Sequence, residues 1–363
     1  MQEVTPELQE SVLGAIRPQD SRASDPDVRF TELDLALVEA LQAAPRAPWS
    51  RIGRALGIDA TTAARRFERL RAAGLVWVTA YDAAESVTVA HVDVRCRPRH
   101  LEAVTQALTR LPWVFSVDET VGDFDLFLSV AAADLPSLGR SVNRTIGAMR
   151  GVRATRTRLC ITLYGEGGDW RMRAMEPAGR AELSAARTRR RTVYSTHTHD
   201  RPAPEDQALM TLLGGNGRLG YTELGAATGM SEHAARRRVQ RLIRDGRTTL
   251  RCDLAHPLAG LSTMVLYRGH VPHTHAEATG NALARMEEVR LCVSVSGPHN
   301  LLVMVWLHGL HAVDPFEALL AERFPHLTVG DRTVALRSPK RMGWLLDDVG
   351  RATGRVPLGL PPS

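Results

Sequence analysis

The sequence predicts an α+β chain that carries one two-part unit twice: a winged-helix-like helix-turn-helix segment followed by a ferredoxin-like βαββαβ domain. Three observations predict it. The chain repeats itself at a nearly constant offset, and such self-similarity marks a duplicated structural unit. Glycines separate short helical patterns at the start of each repeat, as a helix-turn-helix requires. Strand-like and helix-like patterns then follow in the order β-α-β-β-α-β.

The repeat is gapless over a whole helical pattern. Arg51–Ala80 aligns with Glu223–Cys252 at an offset of 172 residues, and Gly53, Gly57, Ala63, Arg65, Arg66, Arg69, Leu70 and Gly74 all recur in the second copy. Further on, Leu111–Val130 aligns with Met286–Val305 at an offset of 175, with Gly122 matched to Gly297 and Leu126 to Leu301. Near-equal offsets mean that both parts were duplicated together. At 363 residues the chain is also longer than one core usually organises. The expected division is an N-terminal extension (1–29), a first helix-turn-helix (30–82) and a first α/β domain (83–170). A linker (171–204) leads to a second helix-turn-helix (205–255), a second α/β domain (256–340) and a C-terminal tail (341–363).

In the first unit, Leu33, Leu37 and Leu41 give one apolar helix face. A short helix over Trp49–Leu56 is closed by Gly57, a residue that takes the left-handed turn at helix ends. Asp59 is placed to cap the next helix, which buries Ala63, Phe67 and Leu70 and ends at Gly74. The second unit repeats the plan: Leu209, Leu212 and Leu213, then Tyr221–Thr228, the Gly229 turn, a Ser231 cap, and a helix burying Ala235, Val239 and Leu242.

If those apolar residues face inward, the outer face of the third helix carries Thr61, Thr62, Arg65 and Arg69, and in the second copy His233, Arg236, Arg237 and Arg241. Arg66 and Arg238 lie on the flank. Slender residues near the helix start suit entry into a major groove, and arginines reach phosphates or guanine edges. An arginine-rich helix face standing alone is usually a solvated face. The same face on the third helix of two three-helix patterns points to double-stranded DNA as partner.

Composition narrows the rest. Apolar content is 44% and the net charge +6, with a pI near 9.6, so the placement of charge matters more than its sum. Cys96, Cys160, Cys252 and Cys292 form no C-x-x-C pair, which fits reduced thiols of a cytoplasmic protein. The N-terminal stretch lacks an apolar run, and no segment approaches the roughly 20 residues that span a bilayer. Neither membrane nor cofactor is expected. The Arg187–Arg191 run could meet phosphates or simply be solvated.

In the first α/β domain, Val87–Val94, Val114–Val121, Leu126–Ala131 and Val152–Leu163 read as strands, with Arg99–Leu111 and Leu135–Met149 as helices. The second repeats the order over Leu261–Leu336. A helix-turn-helix followed by this domain resembles the Lrp/AsnC, or feast/famine, transcription regulators. The residues that carry the resemblance are Ile52–Gly57, Arg65-Arg66-x-x-Arg69-Leu70, Val117–Leu126 around Gly122-x-x-Asp125, and Gly151-Val152-x-x-Thr155-x-Thr157. It covers Thr31–Leu163 and, more weakly, Asp206–Arg337, so the chain looks like a tandem form of a family that usually has one unit.

The resemblance implies a sequence-specific regulator whose second domain, called RAM, dimerises sheet to sheet and binds an amino acid or related metabolite. Carried over, Gly122, Asp125, Thr155 and Thr157 are the effector-binding candidates; an ordinary turn beside a pairing strand is the alternative. The second copy has Gly297-Pro298-His299-Asn300 and no paired threonines, so sensing is expected mainly in the first. A homodimer or higher oligomer through the RAM domains is expected, with no catalytic residue and no metal. Two other readings stay open. Sirohaem decarboxylases are similar in joining the same two parts, and the histidines of the second copy, His273-x-His275 among them, keep an enzyme in view. A DNA-free metabolite-sensing adaptor is the other.

Overall fold

The computed structural model describes residues 29–82, 87–183, 192–193 and 203–361. The N-terminal extension to residue 28 and the Arg187–Arg191 run lie outside them.

Helices α1 (Glu32–Ala43), α2 (Trp49–Leu56) and α3 (Ala60–Ala72) form the first helix-turn-helix. Thr31 and Asp34 cap α1 reciprocally, satisfying backbone N–H groups that have no partner within the helix. Asp59 accepts from the Thr62 N–H at the start of α3, as its position predicts. Gly57 sits at φ +68°, and a Cβ on Gly53 would meet the Ile58 carbonyl at 2.5 Å. The tight turn therefore needs both glycines. The second copy, α7 (Pro204–Gly215), α8 (Tyr221–Thr228) and α9 (Glu232–Arg244), repeats each device. Ser231 caps α9, Gly229 turns at φ +69°, and a Cβ on Gly225 would strike the Met230 carbonyl at 2.6 Å.

The wings differ from an ordinary winged helix. β1 (Val76–Asp82) does not fold back on its own domain but pairs antiparallel with β7 (Thr248–Leu254) of the other copy. Thr79 pairs with Arg251, residues 172 apart, so a pseudo-twofold axis passes through the ribbon. The two helix-turn-helix parts share one apolar core, with Leu37, Phe67 and Leu70 beside Leu209, Val239 and Leu254.

The first α/β domain contains β2 (Thr88–Cys96), α4 (Leu101–Thr109), β3 (Val114–Thr120), β4 (Leu126–Ala132), α5 (Leu135–Ser141) and β5 (Val152–Gly165). Its sequence predicts one helix over Leu135–Met149. The α-helix instead stops at Ser141, and Val142–Ile146 form a single π turn, closed by the Gly147 N–H on the Val142 carbonyl. The wider turn buries both Val142 and Ile146. Beyond β5, α6 (Pro177–Leu183) packs on α2 and α1, and the short strand β6 (Thr192–Val193) pairs with β5. The second domain contains β8 (Thr263–His270), α10 (His273–Leu283), β9 (Val289–Val295), β10 (Leu301–Leu307), α11 (Val313–Arg323) and β11 (Thr328–Arg341). Two further strands, β12 (Trp344–Leu346) and β13 (Ala352–Arg355), extend the edge at β11.

The two sheets, each with the ferredoxin-like order, join along both edges. β5 pairs with β9, and β11 pairs with β3. Eight strands thereby close into a ring, which removes the exposed edges through which such sheets would pair with other chains. Helices cover the outer faces over two separate cores. A third apolar cluster lies between the sheets and includes Phe127, Leu163, Leu266 and Leu302. A buried ion pair also crosses between the halves. Asp93 accepts from Arg158 of its own half and from Arg268 of the other, at 2.6 Å for the second. Asp93 and Arg268 stand 175 residues apart, the offset of the repeat, so duplication has given one equivalent position opposite charges in the two halves.

Candidate nucleic-acid interface and central cavity

On α3, Thr61 and Arg65 are exposed, and on α9 His233, Arg236 and Arg237 are exposed. Arg236 lies over the Tyr221 ring at 5.1 Å and 3.9 Å from Glu232. Thr62 is half-buried, its hydroxyl donating to Asp59. The remaining arginines are committed to the domain itself. Arg66 and Arg69 reach the two oxygens of buried Asp34 at 3.0 and 2.7 Å. Arg238 and Arg241 hold buried Asp206 at 2.8 and 3.0 Å in the same way. A carboxylate sealed from water must be compensated, so these four side chains fix each third helix on its first helix. Of the ten positions singled out on the two helices, those facing solvent without a carboxylate tether to the first helix are Thr61, Arg65, His233, Arg236 and Arg237.

A second pair of arginines clasps the two copies together. Arg46 donates to the carbonyls of Gly217 and Leu219 and lies 4.6 Å over the Tyr221 ring. Arg218 donates to the carbonyls of Pro45 and Ala47 and lies 3.8 Å over the Trp49 ring. Every partner in one set is 172 residues from its counterpart in the other. The repeated stretch that begins at Arg51 stops short of these residues. Carried upstream, the same offset matches Asp34 with Asp206, Arg46 with Arg218 and Trp49 with Tyr221.

The effector candidates lie together at one end of the first sheet. Gly122 adopts φ +125° in the β3–β4 turn. The Asp125 carboxylate accepts from the Cys96 N–H at 2.6 Å, while Thr155 and Thr157 pair with Val94 and Val92 across β5 and β2. Phe124 is flanked by Arg95 and Arg156 at 5.2 and 4.9 Å. Asn300, the counterpart of Asp125, bonds to both backbone groups of Val271, the counterpart of Cys96. Acid and amide therefore brace the same strand end in both halves. The paired histidine motif does not converge: His275 stacks on His326 at 3.8 Å. Among the described residues no three His, Cys, Asp or Glu side chains gather as metal ligands do.

A deeper concavity lies apart from these candidates. A cavity of about 910 Å³ opens between the sheets and beneath the wing ribbon. Val89, His91, Asp118 and Ser129 line it from the first half, and Arg251, Arg290 and Arg341 from the second. Residues Pro357–Pro361 of the C-terminal segment, with Arg355, form part of its wall. His91 stacks on Phe127 at 4.9 Å and meets the Ser129 hydroxyl at 3.2 Å. Burial, with Arg268 nearby, pushes its imidazole down to about 3, so it is neutral at pH 7. Burial pushes the Asp118 carboxyl up to about 6. Arg251 and Arg290 share buried Asp253 at 2.7 and 2.8 Å. Arg341 donates to His256 and to Ser338. No motif in the sequence marks this site, because its lining comes from both halves and the C-terminal segment at scattered positions.

With fold and sites in view, comparison with known proteins defines the class. The AsnC-type helix-turn-helix domain matches residues 30–71 and again 206–243, and the Lrp/AsnC ligand binding domain matches residues 89–168. Over these stretches the chain matches the two parts of the Lrp/AsnC family, with the helix-turn-helix part present twice. An uncharacterised HTH-type transcriptional regulator of Pyrococcus abyssi is 26% identical over 141 residues, 38% of this chain and 89% of that protein. The HTH-type transcriptional regulator LysM of Saccharolobus solfataricus is 25% identical over 141 residues, 38% of this chain and 98% of LysM. The sirohaem decarboxylase NirDL, solved with an iron-uroporphyrin III analogue, shares the fold of nearly the whole chain. Its TM-score is 0.57 at 15% identity, covering 86% of this chain and 93% of that one. No helix among the described residues is long and apolar enough to cross a membrane.

Proposed function

We propose that the chain is a sequence-specific, DNA-binding transcription regulator of Lrp/AsnC type that works as a dimer built into one polypeptide. The observation that carries this reading is the pair of third helices, each orienting an exposed arginine-bearing face from the same Asp-centred scaffold and each clasped to the other copy. Thr61, Arg65, His233, Arg236 and Arg237 meet the duplex. Arg66, Arg69, Arg238 and Arg241 set the angle at which they do so, and Thr62 orders the helix start. An amino acid or related metabolite at Gly122, Asp125, Thr155 and Thr157 is the effector reading. The cytoplasm is the proposed compartment. Association of chains beyond this built-in dimer uses surfaces other than the β3, β5, β9 and β11 edges, which are already paired within the chain.

Fluorescence anisotropy of a labelled duplex, titrated over a range of salt concentrations, tests the reading. Affinity should fall steeply with salt, because each phosphate contact releases counterions, and Arg65→Ala with Arg237→Ala should lower the log–log slope by about 2. Absence of duplex binding at low salt, or a slope unchanged in that variant, would contradict it. A second reading, an enzyme acting on a tetrapyrrole as NirDL does, is favoured by one observation, the large arginine-lined cavity with neutral His91 in its wall. Chain that removes carbon dioxide from sirohaem and ignores DNA at every salt concentration would establish that reading instead.

A further inference from the structure

The central cavity straddles the pseudo-twofold axis, yet its two sides differ in chemistry. Val89, Ser116, Asp118 and Ser129 line one side, and their counterparts at an offset of 175, Met264, Leu291, Val293 and Met304, line the other. In register, Val89 pairs with Ala131 as Met264 pairs with Trp306. Ala131 lines the cavity, whereas Trp306 does not. Its indole is buried and stacks on His256 at 4.4 Å, with Trp170 packed on the same imidazole at 5.6 Å. One half therefore carries an alanine and open space where the other carries an indole in a filled cluster. A symmetric dimer of such units would present the same chemistry on both sides of the cavity; this chain presents two different ones.

Charge is equally one-sided. Arg251, Arg290, Arg341 and Arg355 line the cavity against the carboxyl groups of Asp118 and Glu166. Arg251 and Arg290 are 7% and 3% exposed, and each retains a buried N–H atom without a hydrogen-bond partner. Arg355 likewise keeps a buried Nε without one. A buried donor left unmade is costly, and a surplus of guanidinium groups suits carboxylates. A free amino acid is far smaller than about 910 Å³, a volume in the range of sites that enclose drug-sized ligands.

We propose that this cavity binds one molecule per chain of a large organic acid with an apolar body. Its acidic groups lie toward the arginine side and its body on Met264, Leu291, Val293 and Met304, with the C-terminal segment from Arg355 to Pro361 as part of the wall. The proposal rests on reading the α/β halves as ligand-responsive, and it places a site apart from the Gly122–Asp125 loop.

Fluorescein, a rigid dianion, and rhodamine 6G, a cation on the same ring system, serve as probes of the full chain. Titration should give one fluorescein per chain, rhodamine 6G at least tenfold weaker, and no competition by free leucine. Ala131→Trp should weaken fluorescein at least tenfold by filling the space, with duplex binding measured in the same sample unchanged. Arg355→Gln, a milder change at the half-exposed end, should weaken fluorescein severalfold. Two fluoresceins per chain, equal binding of rhodamine 6G, or unaltered affinity in a folded Ala131→Trp protein and in Arg355→Gln would overturn the proposal. Fluorescein binding without duplex binding would leave the site standing and remove the regulator reading; the reverse would do the opposite.

Discussion

Asp34 shows how one side chain can serve two levels of structure. It is fully buried, accepts from the Thr31 N–H at the α1 cap, and holds both Arg66 and Arg69. Hydrogen bonds to a charged group contribute roughly 1.5–3 kcal/mol each, and the arginines released by a truncation can still reach water. Asp34→Ala should therefore cost about 3 kcal/mol in chemical denaturation, whereas Arg65→Ala, at an exposed position, should stay within about 0.5 kcal/mol. Equal stability of the two variants would mean that the carboxylate does not organise the helix. His91 belongs at this scale too. Its depressed imidazole is neutral when folded, so it contributes stability that is present above about pH 6.5 and lost as the pH falls toward about 3. His91→Phe keeps an aromatic ring for Phe127 and removes the titration. The slope of stability against pH below 6.5 should fall by up to about 1.4 kcal/mol per pH unit. Part of the acid sensitivity will survive, because burial beside Arg290 and Arg341 depresses His256 in the same sense. A pH profile identical to that of the parent chain would contradict the buried, neutral imidazole.

At the scale of elements, the helix-turn-helix parts and the strand order were legible because each rests on local chemistry. Gly57 and Gly229 must turn at positive φ, Asp59 and Ser231 must cap, and the strands alternate. The π turn after Ser141 was not legible, since the periodicity of Leu135–Met149 serves a continuous helix equally well. Nor was the wing exchange: the residues after Gly74 carry no mark of their partner strand, which lies in the other copy. The arginine clasp was hidden for a related reason. Arg46 and Arg218 look like loop residues until their acceptor carbonyls, far away in sequence, are brought alongside. Each guanidinium bonds two carbonyls while stacking on a ring, a geometry that lysine cannot reproduce. Arg46→Lys with Arg218→Lys should thus destabilise the chain by about 2–4 kcal/mol despite conserving charge, and weaken duplex binding by uncoupling the two third helices. A melting temperature and affinity equal to those of the parent would show that charge alone suffices there.

For the whole molecule, duplication has produced complementary rather than identical halves. The edges of both sheets are consumed within the chain, Asp93 of one half meets Arg268 of the other, and the cavity is open where Ala131 stands and filled where Trp306 stands. The sequence revealed that a unit occurs twice, but the pairing of these divergences requires three dimensions. Both third helices remain exposed and are fixed to each other by the clasp and the β1–β7 ribbon. A rigid pair of recognition helices dictates the spacing of what it reads. Selection of duplexes from a random pool, followed by footprinting at one chain per duplex, measures that spacing directly. The expected result is an inverted repeat whose two half-sites, about one helical turn or a multiple apart, are both protected by a single chain. Protection of one half-site only, or no enrichment of any sequence, would contradict it.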